Sequence, residues 1–465
     1  MKRSFQRLSG NAIAVLLLFI QVHALAQKQL LPGPGKSLLS ASDLHFNPFY
    51  DPALVDSLVR TDYSSWERIF QSSKMAPNAY SSDADYALLR SAFTAMRQQS
   101  AAPAFIIISG DFLCHEFQSK FAANAPQYPD SLQSFTAKTI GFIAWLLNSY
   151  FPRTMVLPVL GNNDSDCGDY NVQPDGPFLA MFARAWVPLQ RNGSAAADSS
   201  FVRQFSKGGY YTYPFRNGTN AQLVLLNTVF FSASYSNKCG LPGGDPGTDE
   251  LNWLDSVMKT GQLKKQAVWM VYHIPPGINV YSTISGSGSC SSNIQLMWQP
   301  RYNTRFLGLV RSHAPRIKAA FAGHTHMDDF RVIYTNSVPV SFIHITPAIS
   351  PLFGNNPGFQ RITYDSRTLG LQNAETFYLN VGNPGSVWKP EYNFQKNYGV
   401  SSINAVTLDK VRQKILTDTV YRNRYINLYD VSNPPLNGIN TQNWKAFWCG
   451  TGALTQQDFS NCYCQ

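Results

Sequence analysis

Residues 317–328 read Ile-Lys-Ala-Ala-Phe-Ala-Gly-His-Thr-His-Met-Asp, an apolar run followed at once by two histidines. The run 317–322 has the length and composition of a buried strand, which predicts that His324 and His326 lie just past its carboxyl end. Two residues apart on an extended chain, their side chains would point the same way. The stretch therefore predicts a strand that presents two possible metal ligands at its end.

Four other segments repeat this arrangement of an apolar run followed by possible ligands. They are Asp43-Leu-His45 after residues 37–41, Gly110-Asp111 with His115 after residues 104–109, Gly161-Asn162-Asn163-Asp164 after residues 155–160, and Tyr272-His273 after residues 267–271. Taken singly, each segment is weak, since a lone Asp-x-His or Gly-Asp is more often a solvated turn. Open α/β folds, however, build their sites at the carboxyl ends of sheet strands. The ordered set of five therefore indicates one shared site.

The residue types in this set are typical of a two-metal phosphoesterase. Two divalent cations about 3.5–4 Å apart clamp a phosphate and turn a bridging water into hydroxide. Such a site needs a carboxylate shared by both ions and further ligands for each ion. Imidazole ligands suit zinc, iron or similar transition ions better than magnesium or calcium.

In its set of motifs the chain resembles the calcineurin-like metallophosphoesterases, and more narrowly their acid sphingomyelinase and endopolyphosphatase branch. The resemblance rests on Ser42-Asp-Leu-His-Phe-Asn-Pro, Gly110-Asp-Phe-Leu-Cys-His115, Tyr272-His-Ile-Pro-Pro-Gly277, Gly323-His-Thr-His-Met-Asp328 and Ile345-Thr-Pro-Ala-Ile-Ser-Pro-Leu-Phe-Gly-Asn-Asn-Pro-Gly358. It implies an α/β fold: a four-layer sandwich of two mixed sheets flanked by helices, with a small helical C-terminal extension. Strand patterns that alternate with helical patterns favour the same layered architecture.

The resemblance also implies a role for each motif residue. One metal would be held by Asp43, His45, Asp111 and His326, and the other by Asp111, Asn162, His273 and His324. Asp111 would bridge the two ions, and His115 would donate a proton to the leaving oxygen. The expected cofactors are two divalent ions, zinc first, with iron or manganese as alternatives.

The chain departs from many family members at Asn163, where those members have a histidine. An asparagine can donate a hydrogen bond to a phosphoryl oxygen but cannot donate a proton. We therefore predict that His115 performs the acid role alone and that Asn163 assists catalysis by hydrogen bonding. The same Gly-Asn-Asn-Asp sequence resembles endopolyphosphatases.

The predicted function is an exported dinuclear-metal phosphodiesterase that resembles sphingomyelin phosphodiesterases. A metal-bridged hydroxide would attack the phosphorus of a phosphodiester. The alternatives are an endopolyphosphatase or a nucleotide phosphoanhydride hydrolase. A hypothesis of a different class is a metal-dependent, phosphate-binding module with little turnover, because Asn163 replaces a residue that matters for catalysis in relatives.

The domain organisation is predicted from the two ends of the chain. Residues 1–26 have basic Lys2 and Arg3, an apolar stretch and an Ala-Leu-Ala ending, which is typical of a secretory signal. That places the protein in the periplasm or outside the cell, without a membrane span after cleavage. Residues 27–386 are predicted to form the metallophosphoesterase domain, and residues 387–465 a helical, disulfide-stapled extension.

Composition and charge limit the possible partners. The 465 residues are 44% hydrophobic and 14% charged, which is typical of a folded enzyme. The formal charge is +10, and removal of the three cations Lys2, Arg3 and Arg7 would leave +7. Because the basic residues form no stripe, we predict no nucleic-acid-binding module and expect a phosphodiester or polyphosphate substrate.

Seven cysteines in an exported chain predict disulfides with one thiol left over. Resemblance to the sphingomyelinase pattern implies a bond between Cys239 and Cys290. Cys449 is expected to pair with Cys462 or Cys464. Cys114 and Cys167 both follow predicted ligand strands and could meet beside the site.

Helical periodicity predicts helices over residues 85–98, 134–150 and 408–418, and one that is capped by Thr248 and buries Leu251, Leu254 and Met258. Residues 192–200, rich in small residues, are predicted to form a surface loop. His344 lies in an apolar run and is interpreted as a core histidine rather than a ligand.

Overall fold

Two six-stranded sheets form the scaffold in the computed structural model, which describes residues 35–76, 79–191, 193–215, 218–240, 244–433 and 438–465. The strands are β1 (Gly35–Ala41), β2 (Ile106–Ile108), β3 (Val156–Pro158), β4 (Tyr211–Pro214), β5 (Ala221–Leu225), β6 (Ala267–Val271), β7 (Ile317–Ala322), β8 (Asp329–Thr335), β9 (Val338–Ile345), β10 (Gly358–Asp365), β11 (Leu371–Tyr378) and β12 (Lys389–Asn393). The five strands predicted before the ligand motifs correspond to β1, β2, β3, β6 and β7.

Both sheets mix parallel and antiparallel neighbours. The first has the order β12-β11-β10-β1-β2-β3, with β1, β2 and β3 parallel and β1 antiparallel to β10. The second has the order β4-β5-β6-β7-β9-β8, with β5, β6, β7 and β9 parallel. Helices flank the sheets, so the predicted α/β sandwich is confirmed. Parallel strands bring their carboxyl ends to one edge, which is where the ligand motifs follow.

Among the described residues, most helices lie before β7, between the earlier strands, and a second group follows β12 near the C-terminus. The α-helices are Val55–Arg60, Trp66–Phe70, Tyr86–Gln99, Phe117–Asn124, Leu132–Tyr150, Pro177–Gln190, Ala195–Gly208, Pro246–Leu263, Val280–Ser285, Pro300–His313, Phe394–Tyr398, Ala405–Thr417, Thr419–Tyr429, Trp444–Gly450 and Gln456–Tyr463. Short 3-10 helices cover Pro52–Leu54, Tyr63–Ser65, Pro129–Ser131, Thr228–Phe231 and Cys290–Asn293.

Three helix predictions are confirmed within a few residues, as Tyr86–Gln99, Leu132–Tyr150 and Ala405–Thr417. The predicted Thr248 cap is wrong by three positions. Asp245 is the N-cap and accepts a hydrogen bond from the Thr248 backbone amide at 3.1 Å. A carboxylate in this position also stabilises the positive end of the helix dipole.

Two further predictions concern single segments. The loop predicted over residues 192–200 is wrong from Ala195 onward, because a helix begins there with Ser194 as its cap. His344 is a core histidine, as predicted: it is buried, and its Nε2 lies 2.7 Å from Gln360 Oε1. The small residues of 192–200 suggested a loop, but the Ser194 side chain caps a helix that begins at Ala195.

The two sheets meet through a cluster of aromatic rings. Phe105, just before β2, and Tyr364 of β10 pack against Trp269 of β6 and Phe215, just after β4, with ring centroids 5.1–6.1 Å apart across the two sheets. The Trp269 indole donates a hydrogen bond to the Leu369 carbonyl at 2.9 Å, which satisfies its buried N–H. This packing fixes one sheet relative to the other and so fixes the strand ends that carry the motifs.

Residues from the predicted C-terminal extension contribute to the first sheet as well as forming helices. The edge strand β12 pairs with β11. Tyr392 donates a hydrogen bond to Asp328, and Tyr425 donates one to Asp329, just after the His326 motif. The domain boundaries stay predictions, and the predicted signal, residues 1–26, lies outside the described residues. No helix in the described part of the chain is long and apolar enough to span a membrane.

The cysteine pairing differs from the prediction. The implied Cys239–Cys290 bond is wrong: Cys239 pairs with Cys167, and Cys290 pairs with Cys464. Lys238, next to Cys239, contacts Asn171, whereas Ser291, next to Cys290, contacts Ser460 of the C-terminal helix, so the two cysteines lie beside different parts of the chain. Cys449 pairs with Cys462, as expected. Cys114 does not meet Cys167 and is a buried free thiol.

The structure predicts unequal contributions of two disulfides to stability. Cys290–Cys464 closes a sequence separation of 174, against 13 for Cys449–Cys462. Loop-closure entropy then predicts that Cys290→Ala with Cys464→Ala lowers the free energy of unfolding by about 2 kcal/mol more than Cys449→Ala with Cys462→Ala. Denaturant unfolding under non-reducing conditions measures both. Equal losses would contradict the prediction.

Candidate active site

The motif residues lie on tight turns beyond the strand ends. Positive φ angles occur at Asp43 (49°), His45 (39°), Asp111 (56°), His324 (71°) and His326 (64°). The prediction that Asp43 with His45, and His324 with His326, lie on extended chain is therefore wrong. Left-handed backbone at residues other than glycine costs free energy and persists where surrounding contacts impose it, often at functional sites.

Backbone hydrogen bonds between the strand ends impose these conformations. The amide of Asp43 donates to the Gly110 carbonyl at 3.0 Å, and the amide of His45 donates to the Asp111 carbonyl at 2.9 Å. The amide of His324, at the end of the second sheet, donates to Asp43 Oδ2 at 3.0 Å. The two sheets are thus joined directly at the site.

Two glycines are required by close approach. A Cβ on Gly161 would lie 2.0 Å from Asp111 Oδ1, and a Cβ on Gly323 would lie 1.8 Å from Ser42 Oγ. Both distances are far inside van der Waals contact. Gly161 therefore allows the loop after β3 to approach the loop after β2, and Gly323 allows the loop after β7 to approach the loop after β1.

A buried carboxylate, Asp164, organises the loop after β2. Its two oxygens accept hydrogen bonds from four backbone amides at 2.6–3.1 Å, those of Asp111, Phe112, Leu113 and Gly161. Without these bonds the amides would be buried and unpaired, which costs free energy. Asp164 stands in the quoted Gly-Asn-Asn-Asp sequence, yet sequence reasoning gave it no role.

Two histidines are held with the same ring nitrogen facing inward. Nδ1 of His45 lies 3.0 Å from the Leu113 carbonyl, and Nδ1 of His273 lies 2.5 Å from the Ser109 carbonyl. Because a carbonyl can only accept, each Nδ1 carries a proton and each Nε2 is the nitrogen that faces the site, with a lone pair available to a metal in the neutral imidazole. Metal-binding histidines are typically oriented in this way.

The inward-facing atoms converge on Asp111 Oδ2. This oxygen lies 3.2 Å from His45 Nε2 and 3.3 Å from His273 Nε2. His326 Nε2 lies 3.2 Å from His45 Nε2 and 3.4 Å from Asp43 Oδ1. Asn162 Oδ1 lies 3.2 Å from His273 Nε2, and a nitrogen of His324 is within 4.8 Å of ligand atoms of Asp111 and His273. All seven predicted ligands therefore meet at one place.

The donor set fits metal ions. Asp43 Oδ1 is buried without a hydrogen-bond partner among the described residues, and it faces three imidazole nitrogens at 3.4–3.9 Å. Lone pairs that face each other in a buried space repel unless a cation or a proton lies between them. Two overlapping groups, one around His45 and one around His273, share Asp111. The His and Asp groups thus suggest two metal ions.

Burial sets the charge of the histidines. It lowers the pKa of His45 to about 4, of His324 to about 3 and of His326 well below its usual value. Burial would lower the pKa of His273 as well, but the carboxylates of Asp111 and Asp43 raise it to about 9. Neutral imidazoles are the form that binds metals, and a cation at His273 would take the place of its second proton.

His115 lies next to this group and is paired with Asp83. The His115 ring stacks on His45 with centroids 4.0 Å apart, and its Nδ1 lies 2.9 Å from Asp83 Oδ1. Asp83 also accepts hydrogen bonds from the His115 amide and from Lys120. Sequence reasoning missed Asp83, which stands in no motif and meets His115 only through the fold.

The Asp83 carboxylate favours the protonated form of His115. Burial would lower the pKa of His115, but the hydrogen bond to Asp83 and its negative charge raise it above the usual value. Burial would raise the pKa of Asp83, whereas the hydrogen bond from His115 and nearby cations lower it to about 2. An imidazolium cannot bind a metal but can donate a proton. The side chain is 26% exposed, so a substrate can reach it.

The Asn163 side chain is hydrogen-bonded within the site, and its predicted contact with a phosphoryl oxygen stays a prediction. Its Nδ2 donates a hydrogen bond to Asp111 Oδ2 at 3.0 Å, and its backbone amide donates to Asp111 Oδ1 at 2.9 Å. Asn163 is also buried. In this arrangement Asn163 orients the carboxylate at the centre of the site.

The mouth of the site carries an exposed aromatic side chain. Phe353 is 56% exposed, and its ring lies edge-on to His326 and His115 with centroids 4.5 and 5.6 Å away. It stands in the loop between β9 and β10, within the motif that begins at Ile345. Nonpolar surface therefore borders the site on the side of His115.

Comparison with known proteins agrees with the geometry. An acid sphingomyelinase-like phosphodiesterase 3b from Homo sapiens is 27% identical over 419 residues, covering 84% of this chain and 82% of that protein. A human cyclic GMP-AMP phosphodiesterase is 25% identical over 410 residues, with 84% and 82% covered. This chain is a homologue of the acid sphingomyelinase-like phosphodiesterases. No protein-family model matches it.

Among solved structures, a dimetal phosphatase from Danio rerio matches this chain with a TM-score of 0.39 and 13% identity, covering 75% of this chain and 96% of the other. The motif residues on which the sequence prediction relied are the ones that the fold gathers. The residues that it missed, Asp83 and Asp164, are carboxylates that support those motifs through hydrogen bonds.

Proposed function

We propose that this chain is a metal-dependent phosphodiesterase in which two ions share Asp111. The observation that carries the proposal is the convergence of buried lone pairs from both sheets beside the His115–Asp83 pair. We assign Asp43, His45, Asp111 and His326 to one ion and Asp111, Asn162, His273 and His324 to the other. When bound, the ions would polarise the phosphoryl oxygens and supply hydroxide at neutral pH.

The protein's own groups would complete the reaction. His115 would donate its proton to the oxygen that leaves phosphorus, and Asp83 would keep it protonated until then. Asn163 would hold the Asp111 carboxylate in one orientation through two hydrogen bonds. Because water is the nucleophile, no side chain forms a covalent intermediate, which fits a buried Cys114 whose pKa is raised by burial.

A phosphodiester is the proposed substrate class. The relatives are named as an acid sphingomyelinase-like phosphodiesterase and a cyclic GMP-AMP phosphodiesterase. A leaving group in contact with His115 would lie against the exposed Phe353 ring, which suits a lipid chain or a flat base. We place inorganic polyphosphate second, because it offers no surface to that ring.

Zinc is the proposed metal, and export the proposed destination. Each assigned ion has two imidazole ligands, a combination that favours zinc over magnesium or calcium. Three disulfides are typical of proteins outside the reducing cytosol. The basic and apolar pattern of residues 1–26 supports the same destination.

The first test compares hydrolysis of bis(p-nitrophenyl) phosphate with that of the p-nitrophenyl monoester. The purified chain is assayed as prepared, after chelation and after addition of zinc, iron or manganese. We expect diester hydrolysis that disappears on chelation and returns with metal, with zinc most effective. Turnover of polyphosphate alone would overturn the diester assignment, and two bound ions without any turnover would favour the phosphate-binding module.

A further inference from the structure

One loop at the edge of the site is held in place by several independent contacts. The disulfide Cys167–Cys239 ties this loop, residues 165–171, to the loop before helix Pro246–Leu263. Gln118 donates a hydrogen bond to the Ser165 carbonyl at 2.8 Å, and the Tyr170 amide donates to the Asn162 carbonyl at 2.8 Å. The loop position therefore does not depend on any single side chain within it.

Asp169 extends from this loop toward the side chain of Asn162. Its Oδ1 accepts a hydrogen bond from Asn162 Nδ2 at 2.8 Å. On the other side of the same amide, Asn162 Oδ1 faces His273 Nε2 at 3.2 Å. Asp169 itself is exposed, whereas Asn162 is buried.

The chemistry of the two groups selects one orientation of the amide. An ionised carboxylate only accepts hydrogen bonds, and an amide has a donor end and an acceptor end. With Asp169 ionised, the donor end of Asn162 must face Asp169, and the acceptor end must face His273. The reverse orientation would place two acceptors in contact on one side and an N–H group in the ligand position on the other.

We infer that Asp169 is a positioning residue that fixes the Asn162 amide with its oxygen toward the ion shared with His273 and His324. The inference rests on the proposed function, in which Asn162 is a ligand. Partners that orient metal ligands typically change metal affinity by about 10–100-fold when they are removed. Among the polar contacts of the described residues, the Asn162 side chain contacts Asp169 and His273, and neither is assigned to the other ion. Loss of Asp169 should therefore lower the affinity of the protein for one ion and leave its affinity for the other unchanged.

Metal binding tests the inference directly. Metal-free Asp169→Ala and the parent protein are titrated with cobalt or zinc against a chelator of known affinity, and the melting temperature of each metal-free protein is recorded. We expect two ions of similar affinity in the parent. In Asp169→Ala one ion should bind about 10–100-fold more weakly, while the other ion and the metal-free melting temperature stay unchanged.

Two variants separate the hydrogen bond from charge. In Asp169→Asn the side-chain carbonyl can still accept from Asn162 Nδ2, so its affinity should lie closer to the parent. Asp175→Asn removes the same charge from an exposed residue six positions along the chain and should match the parent. Metal affinities of Asp169→Ala equal to those of the parent would overturn the inference. So would equal losses in Asp169→Asn and Asp169→Ala, or a loss of both ions with a lower metal-free melting temperature.

This outcome can be told apart from failure of the proposed function. If the parent binds two ions but hydrolyses no phosphodiester, the proposed function fails while the selective effect of Asp169→Ala still supports the inference. If the parent hydrolyses diesters and Asp169→Ala binds both ions normally, the inference alone fails. The titration needs no turnover in either case.

Discussion

Asp111→Asn is expected to lower kcat/KM for a phosphodiester by about three orders of magnitude or more and to reduce the bound metal below two ions per chain. Asp111 Oδ2 lies 3.2 and 3.3 Å from the inward nitrogens of His45 and His273, which belong to different ligand sets. An amide has one oxygen and no charge, so it can serve at most one ion well. Elemental analysis and steady-state kinetics on the same preparation measure both effects.

The control is a second buried aspartate. Asp365, at the end of β10 away from the site, accepts hydrogen bonds from the backbone amides of Arg367 and Thr368. Its asparagine variant can still accept them and should keep full metal content and activity. Asp111→Asn with two tightly bound ions and parental kinetics would show that Asp111 does not bridge.

His115→Ala is expected to lower kcat by about 10²–10⁴-fold for a substrate with an alkoxide leaving group. The loss should be much smaller for bis(p-nitrophenyl) phosphate, because p-nitrophenolate departs without a proton. Metal content should stay at the parental value, since the assigned ligands do not include His115. An equal loss for both substrates, or a loss of metal, would contradict its role as the acid.

Asp83→Asn extends this prediction to pH dependence. The acid must be protonated, so activity falls as pH rises through the pKa of His115. Asp83 favours the charged imidazole and raises that pKa, so neutralising Asp83 lowers it. We expect the alkaline limb of kcat to move to lower pH by about one pH unit, and a limb that stays in place would contradict the pairing. The substrate with the alkoxide leaving group is the one to use.

The sequence pattern predicted the sheet strands and the ligands because both depend on local order. Apolar runs such as 317–322 form buried strands, and residues that directly follow parallel strands share one edge. His45 and His273, far apart in the chain, could therefore be placed together without coordinates. The same reasoning assigned extended backbone to Asp43 and His326, because the hydrogen bonds that turn these residues come from other strands.

Pairings between distant loops were less predictable. Resemblance implied Cys239–Cys290, but the path of each loop decides which sulfur atoms meet, and Cys239 lies beside the loop with Cys167. Asp83 is a similar case, since its contact with His115 depends on the bridge between the neighbouring Ala84 and Phe46 in the loop after β1. Asn163 was expected to face the substrate, and its contact with Asp111 follows from the turn after β3.

The position of the site between the two sheets has a consequence for how the protein behaves without its ions. Each assigned ion takes ligands from both sheets, Asp111 from the first and His326 or His273 from the second. The free energy of metal binding then also stabilises the contact between the two sheets. In the chelated protein, amide hydrogen exchange and protease cleavage should increase first in the loops that follow β6 and β7. Metal supply would thereby govern how long the protein survives as well as how fast it works.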